Sequence, residues 1–232
     1  FICDQDDVWM NDKLERMVSI FEENESIIGL ASSFSLIDGD DREIIRSKGL
    51  FKSYNEIIPF KVKQGNKAII TSKEILRSNI SPGCTTAFRS VAVMQYLSAT
   101  NVDVVPHDWA LCIISECIGK LAFWNVPLIQ YRIHESNAIG MPVRLNTIVQ
   151  RSGVLNKHCA LLEEVSGYGV SNRRNDHIRK IIFLYRYRIK TLQNRGIICW
   201  FKGLPLLYGM PAKRYLKSYL MDLAFILKGN KY

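Results

Sequence analysis

The chain opens on two apolar residues that run directly into three carboxylates, in the order Phe1-Ile2-Cys3-Asp4-Gln5-Asp6-Asp7-Val8-Trp9. This pattern predicts the end of a strand, a tight acidic loop and an amphipathic helix that follows. Because like charges at contact distance cannot all stay ionised, the loop favours a bound cation. Mg²⁺ or Mn²⁺, held by one or two carboxylates plus the phosphates of a substrate, suits such a loop. The alternative is a solvated turn in which Asp7 favours the start of the helix.

Length and composition predict a folded protein with a sizeable core. The chain has 232 residues, of which 47% are hydrophobic and 23% are charged, and this excludes a mainly disordered protein. Its six cysteines form no CxxC pair, which favours reduced thiols in a cytoplasmic protein over a disulfide framework. A chain that begins inside an apparent strand, without Met, is expected to be the remainder of a longer protein.

The positive charge is concentrated in the last quarter of the chain. Residues 1–171 contain 17 Lys/Arg and 20 Asp/Glu, whereas residues 172–232 contain 14 Lys/Arg and 2 Asp/Glu, a formal net charge of +12. The change in composition predicts a break near residues 167–171 between two physically different parts.

The first third of the chain predicts mainly core elements. A helix is expected from Asn11 or Asp12 to about Asn24, and a buried strand over 27–37, closed by an acidic turn over 38–41 that lacks calcium-loop spacing. The weakly patterned segment 42–71 is interpreted as a variable insertion or lid. The predicted packing face of the first helix consists of Leu14, Met17, Val18 and Phe21.

A Pro-Gly turn within Ser81–Arg89 is the second candidate site. Gly83 would let the backbone approach a ligand closely, and Thr85 and Thr86 offer hydroxyl groups to it. An ordinary turn before a strand is an equally good interpretation. After a short helix over 72–77 and this turn, a helix over 90–97 is expected to bury an apolar stripe, Val91, Met94 and Leu97.

The third candidate is the helix start Pro106-His107-Asp108-Trp109. Pro106 suits a first helical turn, and the macrodipole would keep Asp108 ionised there, so that it could accept a proton from a substrate hydroxyl. Asp108 could instead only stabilise its own helix. Two short strands over 121–124 and 127–131 lead to Arg132 and His134, which could bind phosphate oxygens or help to hold a metal.

Four segments in this order, FICDQDDVWMNDKLE, SPGCTTAFR, PHDWAL and YRIHESNAIG, resemble the family 2 glycosyltransferases, specifically the bacterial rhamnosyltransferase-like branch that builds O-antigen and capsular polysaccharides. The resemblance covers residues 1 to about 140. It implies an α/β fold over residues 1–142, part of a GT-A (Rossmann-like) mixed sheet flanked by helices, followed by a mostly helical region over 143–232.

The resemblance also implies the roles of individual residues. The DxD-type motif falls on Asp4 and Asp6, which with His134 would hold Mg²⁺ or Mn²⁺, while Asp7 and Arg132 would contact the donor diphosphate. Asp108 would be the catalytic base, with His107 in place of the Glu that commonly precedes it. The implied acceptor-binding residues are Gly83, Cys84, Thr85, Thr86, His107 and Trp109.

The implied activity is transfer of a sugar such as rhamnose, with inversion, from a nucleotide-diphosphate sugar to a saccharide or lipid-linked acceptor. Family members carry a nucleotide-binding half before the DxD motif, so residues 1–232 alone are expected to be inactive. The basic, aromatic-rich helices over 143–232 suggest association with an anionic membrane surface, at the inner face of the bacterial plasma membrane. An intramolecular helical cap with a solvated basic face is the alternative.

Two other classes of protein remain open from the residues alone. A Mg²⁺-dependent hydrolase would also use Asp4, Asp6 and Asp7, with a water activated by Asp108. A non-catalytic module could use the basic tail to bind a membrane or nucleic acid. Nucleic acid is not the expected partner, because no recognised motif accompanies the tail and the rest of the chain is slightly acidic.

Overall fold

The protein is described by a computed structural model, which defines residues 1–45, 62–76, 79–99, 106–133, 147–168, 172–208 and 212–228. It divides into two compact units, Phe1–Pro142 and Val143–Tyr232. The break predicted at residues 167–171 is therefore wrong, because these residues connect two helices of the second unit that pack against each other. The increase in positive charge after residue 171 therefore begins inside the second unit, and not at the boundary between the two units.

The first unit is a mixed α/β structure. Its elements are β1 (Val8–Trp9), α1 (Lys13–Glu23), β2 (Ile27–Ile37), β3 (Lys67–Ile70), α2 (Ser72–Ile75), a 3₁₀ turn (Gly83–Thr85), β4 (Thr86–Phe88), α3 (Ser90–Ser98), α4 (His107–Ile118) and β5 (Lys120–Arg132). The predicted first helix, the strand over 27–37 and the helices beginning at Ser72 and Ser90 are confirmed. The strand β3 lies inside the segment interpreted as an insertion or lid, whose residues 46–61 lie outside the described residues.

The sheet is organised around the long strand β5. β2 runs parallel to β5 along one edge and carries antiparallel β4 on its own far side. The other edge of β5 is shared, since β3 pairs antiparallel with residues 121–124 and β1 pairs antiparallel with Ile129 and Gln130. The short strand β1 therefore places the first residues of the chain beside the end of β5.

The two short strands predicted over 121–124 and 127–131 form a single strand. The register with β2 shifts between Ser32, opposite Trp124, and Ser33, opposite Pro127. Because Pro127 has no amide hydrogen to donate, the intervening residues bulge out of the ladder and the strand resumes beyond them. The residues that predicted a break between two strands thus form a bulge within one strand.

Helices cover both faces of the sheet. On one face, Met17 and Ile20 of α1 pack on Leu30 of β2 and on neighbouring side chains of β4 and β5. Residue 29, which points to the opposite face, lies against α4, where a Cβ on Gly29 would come within 2.8 Å of the Ser115 side chain. Glycine is needed there because the strand and the helix approach so closely.

Two predicted packing faces are wrong in part. Val91, Met94 and Leu97 of α3 are 49%, 65% and 69% exposed, and the helix buries Ala92 instead. On α1, Leu14 and Val18 are exposed while Met17 and the fully buried Lys13 face inward. Apolar spacing identified the helices correctly, but the side that meets the sheet was chosen by tertiary contacts.

The second unit consists of helices. These are α5 (Ile148–Ser166), α6 (Asn172–Gln193), α7 (Ile197–Lys202), a 3₁₀ turn (Leu204–Leu207) and α8 (Ala212–Lys228). Thr147 and Gln150 form a capping box at the start of α5. Within the described ranges, no helix has the length and apolar character needed to cross a bilayer.

A buried cluster of charges connects three of these helices. Arg151 of α5 and Arg188 of α6 both donate to the carboxylate of Asp222 of α8, with Nε–oxygen distances of 2.9 and 2.6 Å. Both guanidinium groups also donate to the Ser218 carbonyl and hydroxyl oxygens. All three charged residues are less than 10% exposed, so this carboxylate holds α5, α6 and α8 together through bonds shielded from water.

His158, beside this cluster, gives the second unit a pH-dependent stability. Burial, reinforced by Arg151 and Arg188, lowers the pKa of His158 to about 4, whereas an unfolded histidine titrates near 6.5. Between pH 6.5 and 4, His158 is therefore protonated in the unfolded chain and neutral in the folded chain. The free energy of unfolding consequently decreases as the pH falls through this window. We expect urea denaturation to show a loss of about 1–3 kcal/mol from this residue.

His158→Phe is the matched variant, because it cannot titrate but keeps a ring against Tyr185, whose centroid lies 5.9 Å from that of His158. The stability of the variant should depend less on pH across this window than that of the wild type. Equal pH dependence in the two proteins would contradict the assignment.

Candidate functional site

The acidic loop at the start of the chain is fixed to the ends of two strands. The Ile2 amide donates to the Thr86 carbonyl of β4 at 3.2 Å, and the Met10 amide donates to the Leu128 carbonyl of β5 at 3.1 Å. With β1 paired to β5, these bonds hold the loop that contains Asp4, Asp6 and Asp7 next to the turn that precedes β4.

Asp4 and Asp7 form a cluster with Cys84 of that turn. One potential ligand atom from each of the three residues lies within 4.8 Å of the others. Oδ1 of Asp7 accepts the Arg132 amide at 2.9 Å, while Oδ2 is buried and makes no hydrogen bond to the described part of the chain. An unsatisfied buried carboxylate oxygen is costly, and a cation would satisfy it.

Burial raises the pKa of Asp7, an effect that the Cys84 thiol and the Arg132 amide oppose and that Asp6 and Asp4 reinforce. Burial and the neighbouring Asp7 raise the pKa of the Cys84 thiol, so the thiol stays protonated. The carboxylates are therefore the ligands that this cluster offers to a hard cation, and the thiol is a neutral neighbour.

This grouping differs from the predicted ligand set. Asp7 and not Asp6 is the second carboxylate beside Asp4. Asp6 instead presents its backbone carbonyl to Arg132 Nε at 2.7 Å. His134, the third predicted ligand, lies outside the described residues.

Arg132 connects the acidic loop to the turn over 38–41. Besides Asp6, its guanidinium donates to the Asp38 carbonyl at 2.8 Å and to Asp41 Oδ1 at 2.6 Å. These bonds to the chain's own oxygens fix the acidic loop against the turn after β2. Arg132 was predicted to contact a diphosphate, and in this conformation its side chain positions the loop that carries Asp4 and Asp7.

The acidic segment over 38–41 forms a turn that is closed by its own hydrogen bonds. Oδ1 of Asp38 accepts the amides of Asp40 and Arg42 at 2.8 and 3.0 Å, and these two bonds lower the pKa of Asp38. Such side-chain closure of a turn is typical of aspartate at its first position.

Lys13 is a site residue that the sequence analysis missed. It is fully buried, donates through Nζ to the Cys84 carbonyl at 2.7 Å, and lies 3.8 Å from the centroid of the Trp9 ring. Burial lowers its pKa to about 8, although the nearby Asp7 and Asp4 act to raise it. Lysine is rarely fully buried, so a lysine at the start of an amphipathic helix does not indicate a buried site residue.

Tyr131, the penultimate residue of β5, is a second neighbour that was missed. Burial raises its pKa to about 12, and the negative charges of Asp7, Asp4 and Asp6 act in the same direction. Its phenol is thus an uncharged group beside the acidic cluster.

The turn over 82–86 is stabilised by its own threonines. Thr85 Oγ1 lies 2.7 Å from the Pro82 carbonyl and 2.6 Å from Ser81 Oγ, and Thr86 Oγ1 donates to the Gly83 carbonyl at 2.6 Å. Both residues are fully buried. The prediction that these hydroxyl groups face an acceptor is therefore wrong for this conformation, because short side chains bond most easily to the carbonyl three residues earlier.

Asp108 lies beside the same turn, next to Gly83. A Cβ placed on Gly83 would be 3.1 Å from Asp108 Cβ and 3.5 Å from its Oδ2, so any other residue would require Asp108 to shift by a few tenths of an ångström. Since consecutive Cα atoms are about 3.8 Å apart, Gly83 and Cys84 link Asp108 to the cluster of Asp4 and Asp7. One turn of the backbone thus separates the candidate cation ligands from the candidate base.

The carboxylate of Asp108 is 5% exposed and well oriented. Asn79 Nδ2 donates to Oδ2 at 2.6 Å, and the Trp109 amide donates to Oδ1 at 2.8 Å. The pKa of Asp108 is nevertheless raised, because burial outweighs these donors. Burial therefore outweighs the lowering effect expected from the helix start, and the raised pKa makes the carboxylate a stronger base.

The residues on either side of Asp108 have different environments. His107 is exposed at the start of α4. Trp109 is buried and donates through Nε1 to the Ile75 carbonyl at 2.7 Å, so its predicted role in acceptor binding is replaced by a contact that anchors α4 to α2.

Comparison of the chain with protein-family models, curated proteins and solved structures finds no match.

Proposed function

We propose that the protein is an inverting glycosyltransferase of the family 2 type. It transfers a sugar from a nucleotide-diphosphate sugar to a hydroxyl group of a saccharide or lipid-linked acceptor in bacterial surface polysaccharide synthesis. The observation that carries this proposal is the turn over 82–86, in which Cys84 lies at the acidic cluster and the preceding Gly83 lies against a buried, oriented aspartate.

Asp4 and Asp7 suit the Mg²⁺ or Mn²⁺ ion that such a reaction uses. The pair of carboxylates matches the preference of these ions for oxygen ligands, and the unsatisfied Oδ2 of Asp7 supplies a ligand atom that the chain itself leaves unused. When bound, the ion would offset the charge that develops on the departing diphosphate. Arg132 holds Asp7 in place through its amide, and Lys13 holds Cys84 on the facing turn.

Asp108 is the group that would remove the proton from the acceptor hydroxyl. Its orientation by Asn79 and Trp109 keeps one carboxylate conformation, and its raised pKa increases its affinity for the proton. The exposed His107 beside it is placed to contact the acceptor. Inversion would require the hydroxyl to attack from the Asp108 side while the nucleoside diphosphate departs on the side of Asp4 and Asp7.

An assay of nucleotide release tests the proposal. The full-length protein is incubated with dTDP- or UDP-sugars and Mn²⁺, with and without a lipid-linked or saccharide acceptor. We expect release that depends on the acceptor, disappears in excess chelator, and is abolished in Asp4→Asn/Asp7→Asn because the cation loses both carboxylates.

The exposed acids of Glu25→Gln/Asp40→Asn provide the matched control, with the same change in charge away from the turn. This control should retain full activity. Release that needs water but no acceptor would indicate a hydrolase with the same acidic cluster, and undiminished release in excess chelator would contradict the metal.

A further inference from the structure

The exposed face of α6 combines cations with an aromatic ring. Arg179, Lys180, Phe183, Arg186 and Lys190 recur at helical spacing and are all exposed, with Phe183 at 60%. Asp176 lies one turn earlier on this face, and Arg186 pairs with Glu163 of α5 at 2.6 Å. The cations without a carboxylate partner in the described part of the unit are therefore Arg179, Lys180 and Lys190, beside the Phe183 ring.

A pocket of about 270 Å³ opens on this face. It is lined by Arg179, Lys180 and Phe183 of α6 and by Leu206 and Tyr208 of the segment that follows α7. Two cations thus share the pocket with two rings and an aliphatic side chain. This composition suits a ligand that is anionic at one end and apolar at the other.

The segment beyond the pocket adds exposed apolar side chains. Tyr187 Oη donates to the Cys199 carbonyl at 2.6 Å, which holds α7 against α6. On α7 and the following turn, the exposed side chains are Ile197, Ile198, Phe201 and Leu204, and Tyr208 is 96% exposed. A helix and turn that present so many apolar groups beside cations resemble an interfacial element, with rings and aliphatic chains at the depth of the headgroups.

We propose that this face, formed by α6, α7 and Leu204–Tyr208, binds the surface of an anionic phospholipid bilayer, with a lipid phosphate in the pocket between Arg179 and Lys180. Residues 172–208, which form this face, contain nine Lys/Arg and one Asp, a formal net charge of +8 that complements such a surface. Single-stranded nucleic acid would also use cations and rings, but Ile197, Ile198 and Leu204 cannot stack on bases, whereas they can enter acyl chains. The inference rests on the proposed function only for the identity of the membrane, the one that holds a lipid-linked acceptor.

Vesicle sedimentation with the full chain tests this proposal. We expect the protein to bind vesicles that contain phosphatidylglycerol, to bind phosphatidylcholine vesicles much more weakly, and to be released by high salt. Arg179→Glu/Lys180→Glu should lower the apparent affinity by about tenfold or more, because each cation near the surface contributes to binding. Lys63→Glu/Lys120→Glu changes two exposed lysines of the first unit by the same charge and should bind as the wild type does.

A second pair of variants tests how the exposed apolar side chains contribute to vesicle binding. Phe183→Ser/Tyr208→Ser should weaken binding to the anionic vesicles, whereas Val91→Ser/Met94→Ser removes two exposed apolar groups from α3 and should not. Circular dichroism of each variant establishes that it is folded. Asp108→Asn should bind vesicles like the wild type, so a failure of the transferase proposal would leave this result unchanged.

Several results would overturn the proposal. Equal binding to both kinds of vesicle, or an equal loss in the control pairs, would show that the face is not the determinant. Saturable binding of inorganic phosphate that Arg179→Glu abolishes, without binding to vesicles, would identify a free phosphate as the ligand. Preferential binding of RNA over anionic vesicles would identify nucleic acid as the partner.

Discussion

Replacement of Asp108 by Asn in the full-length protein is expected to lower acceptor-dependent turnover by about 10²–10⁴-fold, the contribution of proton transfer to a positioned base. Asn keeps the size of the side chain and an oxygen that can accept the Trp109 amide, but it cannot take up a proton. The measurement is the rate of nucleoside diphosphate release at saturating donor and acceptor. The loss should lie in kcat, because Asp108 acts on the reacting hydroxyl.

The pH profile separates a base from a structural aspartate. A base must be deprotonated to act, and the raised pKa of Asp108 means that activity should fall on acidification at a higher pH than for an ordinary carboxylate. The residual activity of Asp108→Asn should lack this acid limb. Wild-type turnover in the variant, together with a loss of stability, would reduce Asp108 to a residue that supports its own helix.

The second large effect is expected in the helical unit, at Asp222. Asp222→Ala leaves the guanidinium groups of Arg151 and Arg188 buried without their carboxylate, and loss of one partner of a buried ion pair costs about 3–5 kcal/mol. Urea denaturation of the full chain, followed by circular dichroism, should show the helical signal of the second unit lost at lower urea.

Asp176→Ala is the matched control for this change. Asp176 is an exposed acid on α6, so its removal should alter stability by less than about 0.5 kcal/mol. A loss of less than about 1 kcal/mol in Asp222→Ala would mean that water or another anion replaces the carboxylate, and that the helices do not depend on it.

Local patterns along the chain predicted the elements of the fold much better than their contacts. The β-branched run over 27–37 and the helical spacing of Leu14, Met17, Val18 and Phe21 are properties of neighbouring residues, and they predicted β2 and α1. The side of α3 that faces the protein depends on where α4 and β2 lie, and neither position follows from local periodicity. The exposed stripe of Val91, Met94 and Leu97 was assigned to the core for this reason.

The candidate site shows the same limit at the level of single atoms. The sequence places Asp4, Asp6 and Asp7 in one loop, but which two converge depends on Arg132, which binds the Asp6 carbonyl and orients Asp7 from 125 residues away. Gly83 was predicted to let the backbone approach a ligand, whereas in the structure its close neighbour is the Asp108 side chain. The burial of Lys13 beside Cys84 could not be predicted, because a lysine in an amphipathic helix is ordinarily exposed.

The central claim is that a cation at Asp4 and Asp7 and the carboxylate of Asp108 border one turn of the backbone. Nuclear magnetic resonance with Mn²⁺ tests it most directly, because this paramagnetic ion broadens the signals of nuclei close to it. The account predicts that Mn²⁺ broadens the side-chain amide of Asn79, which donates to Asp108 at 2.6 Å, and that Asp4→Asn/Asp7→Asn abolishes the effect. A sharp Asn79 signal at saturating Mn²⁺, or broadening that persists in the double variant, would contradict the account.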